Sequence, residues 1–324
     1  MIIVRSPLRI SIAGGGTDIP SYYKLQGSYF ISAAINKYIY VSITKPFEKG
    51  IYLKYSKSEK VKKVDKIKHK IIKEVLKKEK NLDQIEITTL TDIPAKTGLG
   101  SSGSFTTCLI KSLFSYNKKF IDKIKLAESA CDIEINKLKL PSGKQDQYIS
   151  VYGGITEFKI NKKGIVSPKT LNLKNDIIEK LEDNLLLYFT GFSRNSSTIL
   201  KEQNVKTIYS NKQIINNLNF VKDLAYEIKY SLLKGNLTNF GNLMNEHWKY
   251  KLSRSKNMSN KLINDYYNYA IRNGAVGGKL IGAGGGGFLL FYSDTPAKLR
   301  NSLKNINLKE VRFKFDFEGV KQIL

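Results

Sequence analysis

The sequence predicts an α+β protein of two domains with its functional cleft between them. Three observations lead there. The 324 residues are too many for one small core. The first half reads as alternating strand-length segments broken by helical stretches, whereas the second half is mostly of helical periodicity from Asn195 to about Asn273. Four glycine-bearing segments punctuate the chain, at 7–18, 94–104, 140–154 and 279–291.

Alternation at 2–12, 28–35 and 38–44 predicts an antiparallel start with one early turn. From Lys57 to Lys80, Val61, Val64, Ile67, Ile71, Val75 and Leu76 recur at roughly helical spacing, which predicts a helix with its lysines on the wet face. A strand at 84–90 leads to a glycine turn and a helix carrying Phe105, Cys108, Leu109 and Leu113 on its apolar stripe. A helix from about Asp122 to Leu138 buries Ile124, Ala127, Cys131, Ile135 and Leu138, and Pro141 ends it. Strands at 153–160 and 164–171 flank Asn161-Lys-Lys-Gly164, a hairpin signal. The chain turns polar from Asn175 to Asp183, and the boundary is placed there, giving domains 1–183 and 184–324. The second opens on a buried-strand pattern from Asn184 to Thr190. After its helical run come a glycine loop, a strand to Tyr292, a helix from Pro296 and a last strand near Val311 to Phe317.

Composition excludes several classes. Hydrophobic residues at 41% and charged residues at 25% suit a soluble globular protein rather than a disordered one. No apolar run is long enough to cross a bilayer, and the start reads as a strand rather than a cleavable apolar segment, so a cytoplasmic protein without a membrane partner is expected. Cys108 and Cys131 lie on apolar helix faces and are expected to be buried free thiols. His69 and His247 are isolated and fit no metal-ligand spacing. The net charge of +26 would suit a nucleic-acid or membrane-surface binder. Yet the excess is nearly all lysine and spread along the chain, with no RNA-binding signature or aromatic-interleaved arginine patch. No nucleic-acid partner is expected, and the charge favours anionic small molecules instead.

Pro94-Ala-Lys-Thr-Gly-Leu-Gly-Ser-Ser-Gly-Ser104 sits between a strand and a helix, so Ser101, Ser102 and Gly103 fall at the helix start. Free N–H groups and the positive end of the helix dipole meet there, a cradle for phosphate. Gly98 and Gly100 let the backbone approach a ligand. The spacing is neither the Walker A pattern nor the dinucleotide fingerprint. Glu134 near a helix end and Asp146 in Leu140-Pro-Ser-Gly-Lys-Gln-Asp-Gln-Tyr148 make a metal-plus-base pair. Taken singly, Glu134 reads as a solvated helix residue and Asp146 as a turn residue bonding its own backbone. The glycine run within Lys279–Phe291 suggests a loop pressed against a ligand or another backbone.

Together these segments resemble the GHMP kinase superfamily. Pro94-x-x-x-Gly98-Leu-Gly-Ser-Ser102 matches its ATP-phosphate loop, and Gly282-Ala-Gly-Gly-Gly-Gly287 its C-terminal glycine motif. Ala13-Gly-Gly-Gly-Thr-Asp18, Gly143-Lys-Gln-Asp-Gln147 and Thr190-Gly-Phe-Ser-Arg194 resemble the sugar-1-kinase branch, which holds heptose 7-phosphate kinases and fucokinases, the former the nearer likeness. One departure is Gly103, where the superfamily usually has Ala and the branch often has Ser. It costs helix stability, about 1 kcal/mol against Ala, but removes no side chain that the chemistry uses.

The resemblance implies the two-domain GHMP kinase fold and an ATP-dependent kinase, with Mg²⁺, acting on the anomeric hydroxyl of a sugar phosphate. Unphosphorylated sugars such as L-fucose are the alternative acceptors, and a non-catalytic sugar sensor a further one. It places ATP against Pro94, Lys96, Gly98, Leu99, Gly100, Ser101, Ser102, Gly103 and Ser104, and Mg²⁺ between Ser102 and Glu134. Asp146 matches the catalytic aspartate, and Lys144 is close enough in sequence to stabilise it or the moving phosphoryl group. On the substrate side stand Gly15, Gly16, Thr17, Asp18, Gly143, Gln145, Gly284, Gly285 and Gly286. Arg9, Arg194 and Lys279 are candidates for anionic groups, with Arg194 favoured for a substrate phosphate. The presence of Ser101, Ser102, Glu134 and Asp146 argues for an active enzyme rather than a silent homologue.

Overall fold

The structure, a computed structural model, describes residues 1–79, 83–192, 197–208 and 212–324. In chain order its elements are β1 (Ile2–Ala13), α1 (Pro20–Gln26), β2 (Ser28–Thr44), β3 (Gly50–Lys54), β4 (Ser58–Val61), α2 (Lys70–Leu76), β5 (Gln84–Thr91), α3 (Ser101–Tyr116), α4 (Lys123–Cys131), α5 (Gln145–Tyr152), β6 (Ile155–Ile160), β7 (Val166–Thr170) and α6 (Asn175–Asn184). There follow β8 (Leu185–Phe189), α7 (Ser197–Ile208), α8 (Lys212–Lys234), α9 (Leu237–Leu252), α10 (Lys261–Arg272), β9 (Gly277–Leu280), β10 (Phe288–Tyr292), α11 (Pro296–Lys304), β11 (Lys309–Glu310) and β12 (Lys321–Gln322).

Among the described residues the strands form two sheets. The first runs β12-β1-β2-β5-β3-β4, with β6 paired to β2 and β7 to β6. The second runs β11-β8-β10-β9. In the first sheet β1 and β2 form a long antiparallel ribbon, whose register shifts between Pro7 and Leu8, where a proline cannot donate to the ladder. The shift carries Arg9 to the phosphate loop, where its N–H donates to Leu99 O at 3.0 Å. One buried apolar cluster runs from Ile10 and Phe30 in the first sheet to Leu187 and Leu290 in the second. Both sheets therefore share a core. Among the described residues no helix is long and apolar enough to cross a membrane.

Several sequence expectations change. The lysine-rich run is not one helix: Ser58–Val61 is a strand and only Lys70–Leu76 is α-helical. Pairing with β3 decides the matter, since Val61 lies opposite the fully buried Ile51. The polar stretch at 175–183 is an amphipathic helix, α6, that buries only Ile177 and Leu181. The helix expected from Asp122 to Leu138 becomes π-helical over Asp132–Lys137. The expected strand at 311–317 makes only a bridge between Phe315 and Ile35. That bridge also shows the second half returning to the first. Asp316 N donates to Ala34 O at 2.9 Å, and β12 pairs with β1.

Helix α8 joins the halves from the other side. Tyr226 stacks on Tyr29 with ring centroids 3.8 Å apart. Lys229 donates to the buried Glu157 carboxylate at 2.7 Å, which also accepts from Tyr29 Oη at 2.6 Å. Burial pushes the Glu157 carboxyl up, but these donors outweigh it and hold it below its ordinary value. Lys229→Met should leave a buried, unpaired carboxylate and lower stability by on the order of 3 kcal/mol at neutral pH. Because the folded-state value is depressed, this stabilisation is present above the ordinary value of 4.5 and lost as pH falls through the folded one. Urea unfolding of both proteins at pH 7 and pH 4 checks this: the gap should narrow at the lower pH.

Candidate active site

The phosphate loop joins β5 to α3. Gly100, the residue before α3, has φ of +76°, a left-handed conformation open to glycine at no steric cost. No side chain caps the helix start, so its first N–H groups and the positive end of a 16-residue helix are left to a ligand. Gly98 (φ +88°) faces the second glycine loop. A Cβ there would lie 2.7 Å from Ile281 O, and one on Gly282 would lie 2.6 Å from Gly98 Cα. The glycine-rich loops thus press backbone on backbone. Pro94 and Lys96 are exposed on the loop, whereas Leu99 is buried beneath it and Ser104 Oγ is turned away, donating to Pro7 O at 2.7 Å.

Gly284, Gly285 and Gly286, expected on the substrate side, do not line the cleft. Gly284 packs on Met258, Gly286 on Phe192, and Gly285 N donates to Met258 O at 2.9 Å. Gly282 and Ala283 reach the cleft instead.

Asp146 lies in the first turn of α5, which packs on the start of α3. Its Oδ1 accepts from Arg9 Nε at 2.8 Å and lies 2.8 Å from Nη2 in the ion pair, while Arg9 Nη1 donates to Gly98 O. One guanidinium therefore links the carboxylate to the phosphate loop. Lys144 does not take this place. Its Nζ donates to both Glu128 carboxylate oxygens, at 2.7 and 2.9 Å, and to Gly164 O. Residues two apart on a helical turn do not face each other, which the sequence separation alone conceals.

Glu134 sits in the π-helical turn and is 1% exposed, not solvated. The extra residue per turn rotates it inward, a shift invisible to 3.6-residue periodicity. Its carboxylate accepts from Ser102 Oγ at 3.1 Å and from Thr106 Oγ1 at 2.5 Å. Burial, with Asp146 adding repulsion, outweighs these hydroxyls and lifts its pKa to about 7. A buried carboxylate with hydroxyl partners and a serine oxygen beside it suits a hard cation.

On the sugar side, Gly15, Gly16, Asp18, Gly143 and Gln145 line the cleft. Asp18 Oδ2 accepts from Gln145 N at 3.1 Å and rests against Gly143, where a side chain has no room. Burial raises its carboxyl, partly offset by that bond. Thr17 departs from expectation: its fully buried hydroxyl donates to Gly14 O at 2.8 Å and bonds Ser28 Oγ at 2.7 Å, so it ties the turn together instead of facing a ligand. Arg194 lies outside the described residues.

Lys279 lines the cleft with three residues that sequence reasoning missed: His247, Lys251 and Arg254. A signal existed. Phe240, Met244, His247 and Lys251 share the buried stripe of α9, and a lysine on such a stripe needs a reason. Burial, then repulsion from Arg254 and Arg9, pushes Lys279 down to about 7. The same causes hold Lys251 well below its ordinary value, and burial brings Arg254 to about 10.

The chain matches two family models: GHMP kinases N terminal domain over residues 65–154 and GHMP kinases C terminal over 228–309. It is 31% identical to a D-glycero-alpha-D-manno-heptose 7-phosphate kinase of Campylobacter jejuni, over 99% of this chain and 98% of that protein. It is 25% identical to an L-fucokinase/L-fucose-1-P guanylyltransferase of Bacteroides fragilis, over 90% of this chain but 34% of that protein. The fold is shared with a D-glycero-D-manno-heptose 1-phosphate kinase from Bacteroides thetaiotaomicron, with a TM-score of 0.83, 24% identity, and coverage of 100% of this chain and 99% of that one.

Gly103 carries more than a helix cost. A Cβ there would lie 2.6 Å from Asp146 Cβ and 2.9 Å from Gln147 N. Gly103→Ala gains about 1 kcal/mol of helix propensity, but crowding offsets it by about 1–3 kcal/mol. Since a misplacement of about 1 Å can cost roughly 100-fold, turnover should fall roughly ten- to a hundredfold while Tm moves little. Steady-state kinetics and a melting curve check this; unchanged turnover would mean that α3 and α5 separate freely.

Proposed function

The chain belongs to the GHMP kinase family, and from that premise we propose that it transfers the γ-phosphate of ATP to the anomeric hydroxyl of D-glycero-D-manno-heptose 7-phosphate, giving the 1,7-bisphosphate. The observation that carries this reading is the junction of Asp146, Arg9 and Gly98, which sets a carboxylate against an uncapped helix start at the edge of a cleft. The extent of identity with the Campylobacter jejuni enzyme supports the choice of sugar. Cys108 and Cys131, both free and buried, fit a reducing cytoplasm.

In this reading the N–H groups at Gly98 to Ser102 hold the β- and γ-phosphates. The anomeric oxygen attacks the γ-phosphorus, the bond to the β-γ bridging oxygen breaks, ADP leaves, and the hydroxyl proton passes to Asp146. Arg9 fixes that carboxylate and offers a positive charge beside the phosphoryl group. Asp18 and Gln145, hydrogen-bonded to each other next to Asp146, orient the sugar. Ser102 and Glu134 would hold Mg²⁺, which supplies charge neutralisation for the phosphates when bound.

Asp146→Asn should keep nucleotide affinity and lose roughly 10²–10⁴-fold in kcat; a rate within a few-fold of wild type would remove Asp146 as the base. Glu134→Gln should raise the Mg²⁺ concentration needed for half-maximal rate, and full activity in excess chelator would refute metal dependence. The acceptor is tested by comparing heptose 7-phosphate, free heptose and L-fucose at equal concentration, with the new phosphate located by ³¹P NMR. Preference for L-fucose would overturn the proposed substrate and leave the kinase assignment standing.

A further inference from the structure

One wall of the cleft holds more positive charge than its surroundings neutralise. Lys251 at the end of α9, Arg254 just beyond it and Lys279 in β9 are all buried. Their partners among the described residues are uncharged. Lys251 Nζ donates to Leu280 O at 2.8 Å and Gly282 O at 2.5 Å, and Lys279 Nζ to Ile12 O at 2.6 Å. Arg254 donates from Nε to Asn217 Oδ1 at 2.8 Å and from Nη1 to Gly15 O at 3.0 Å. Among the described residues its buried Nη2 has no hydrogen-bond partner, nor do the ring nitrogens of His247, one helical turn before Lys251. Carbonyls satisfy individual N–H groups but do not neutralise charge, and buried cations without counter-ions are costly. Burial first, and mutual repulsion after it, lower the Lys279 and Lys251 pKa values, and the repulsive part is the same imbalance seen from the proton's side. An anion completes the wall.

Position says which anion. Arg254 touches the Gly15–Gly16 turn and Lys279 the end of β1, both beside Asp18 on the sugar side. The phosphoryl group in transit has its own apparatus in the loop amides and Arg9. The open Nη2 of Arg254, with the Lys279 ammonium beside it, offers charged donors that suit a phosphate dianion. Resting on the reading of this protein as a sugar-phosphate kinase, we propose that Arg254 and Lys279, flanked by Lys251 and His247, bind the phosphate that the acceptor already carries and so select a sugar monophosphate over the free sugar. The role expected of Arg194 then falls to Arg254, just beyond α9, and to Lys279 in β9.

The test crosses residue against substrate group. Arg254→Met and, separately, Lys279→Met should each lower kcat/KM for heptose 7-phosphate roughly ten- to a hundredfold, mostly through KM. Free heptose should change by less than about threefold in the same variants. Arg254→Lys should recover part of the loss. Equal losses with both acceptors would overturn the proposal, because they would place the wall on the phosphoryl in transit or on folding. A wild-type measurement stands apart from variant stability. With the phosphate loop filled by a non-hydrolysable ATP analogue and Mg²⁺, inorganic phosphate should raise Tm of the wild type and not of Arg254→Met. No shift in the wild type would overturn the site. If the wild type prefers L-fucose or free heptose, the substrate reading falls, and the phosphate-dependent Tm shift then decides the anion site alone.

Discussion

The contact between the backbones at Gly98 and Gly282 holds the active site together. A Cβ on either residue would lie 2.6–2.7 Å from the backbone of the other loop, so the loops would have to shift apart. On its far side the phosphate loop is fixed by Arg9, through its N–H to Leu99 O and its guanidinium to Gly98 O. The loop is thus clamped between a strand of the first sheet and the glycine loop of the second. Its amides have fixed directions before any phosphate arrives, and catalysis by positioning needs that preorganisation. Lys251 extends the clamp, since it bonds the carbonyl of Gly282 itself. The cationic wall and the phosphate loop therefore share one backbone segment.

The charges in this protein fall into two groups. Some are matched: Lys229 with Glu157, Lys144 with Glu128, Arg9 with Asp146. Others are buried without an ion-pair partner among the described residues: Glu134 near Ser102, and Lys251, Arg254 and Lys279 along the opposite wall. The matched pairs join elements of the fold. The unmatched groups all adjoin the cleft or the start of α3. Burial opposes charge in each of them, and on the proposed reading ligands of opposite sign would offset it, a cation at Glu134 and an anion at the wall. Stability is given up where binding needs it.

Much of this was legible in the sequence, for identifiable reasons. The phosphate loop was readable because the strand, the glycines and the apolar helix stripe all lie within one local window. Asp146 was readable from its motif, but its partner was not: Arg9 is 137 residues away, and nothing local distinguishes it from Lys144. Glu134 was found and its burial missed, because a π-helical turn breaks the periodicity that burial is read from. The lysine-rich run failed as a helix because strand pairing at Val61 is tertiary. Thr17 and the glycines at 284–286 were assigned to ligands although their neighbours are other parts of the chain. A motif shows which residues a loop needs and not which way each one faces.

Charge acts here at two ranges. The net charge of +26 is spread over lysines that are largely solvent-facing, and at physiological ionic strength such charges are screened beyond about 8 Å. They speed the approach of anionic substrates without holding one. The buried wall works the other way. Lys251, Arg254 and Lys279 are buried, fixed by backbone carbonyls and screened little by salt, so on the proposed reading they would act at short range and select for phosphate. Raising the salt concentration weakens the first effect far more than the second. Composition alone therefore cannot separate a protein that is merely basic from one that recognises phosphate. On the proposed reading the separation lies in a few cations that the fold buries without an ion-pair partner among the described residues.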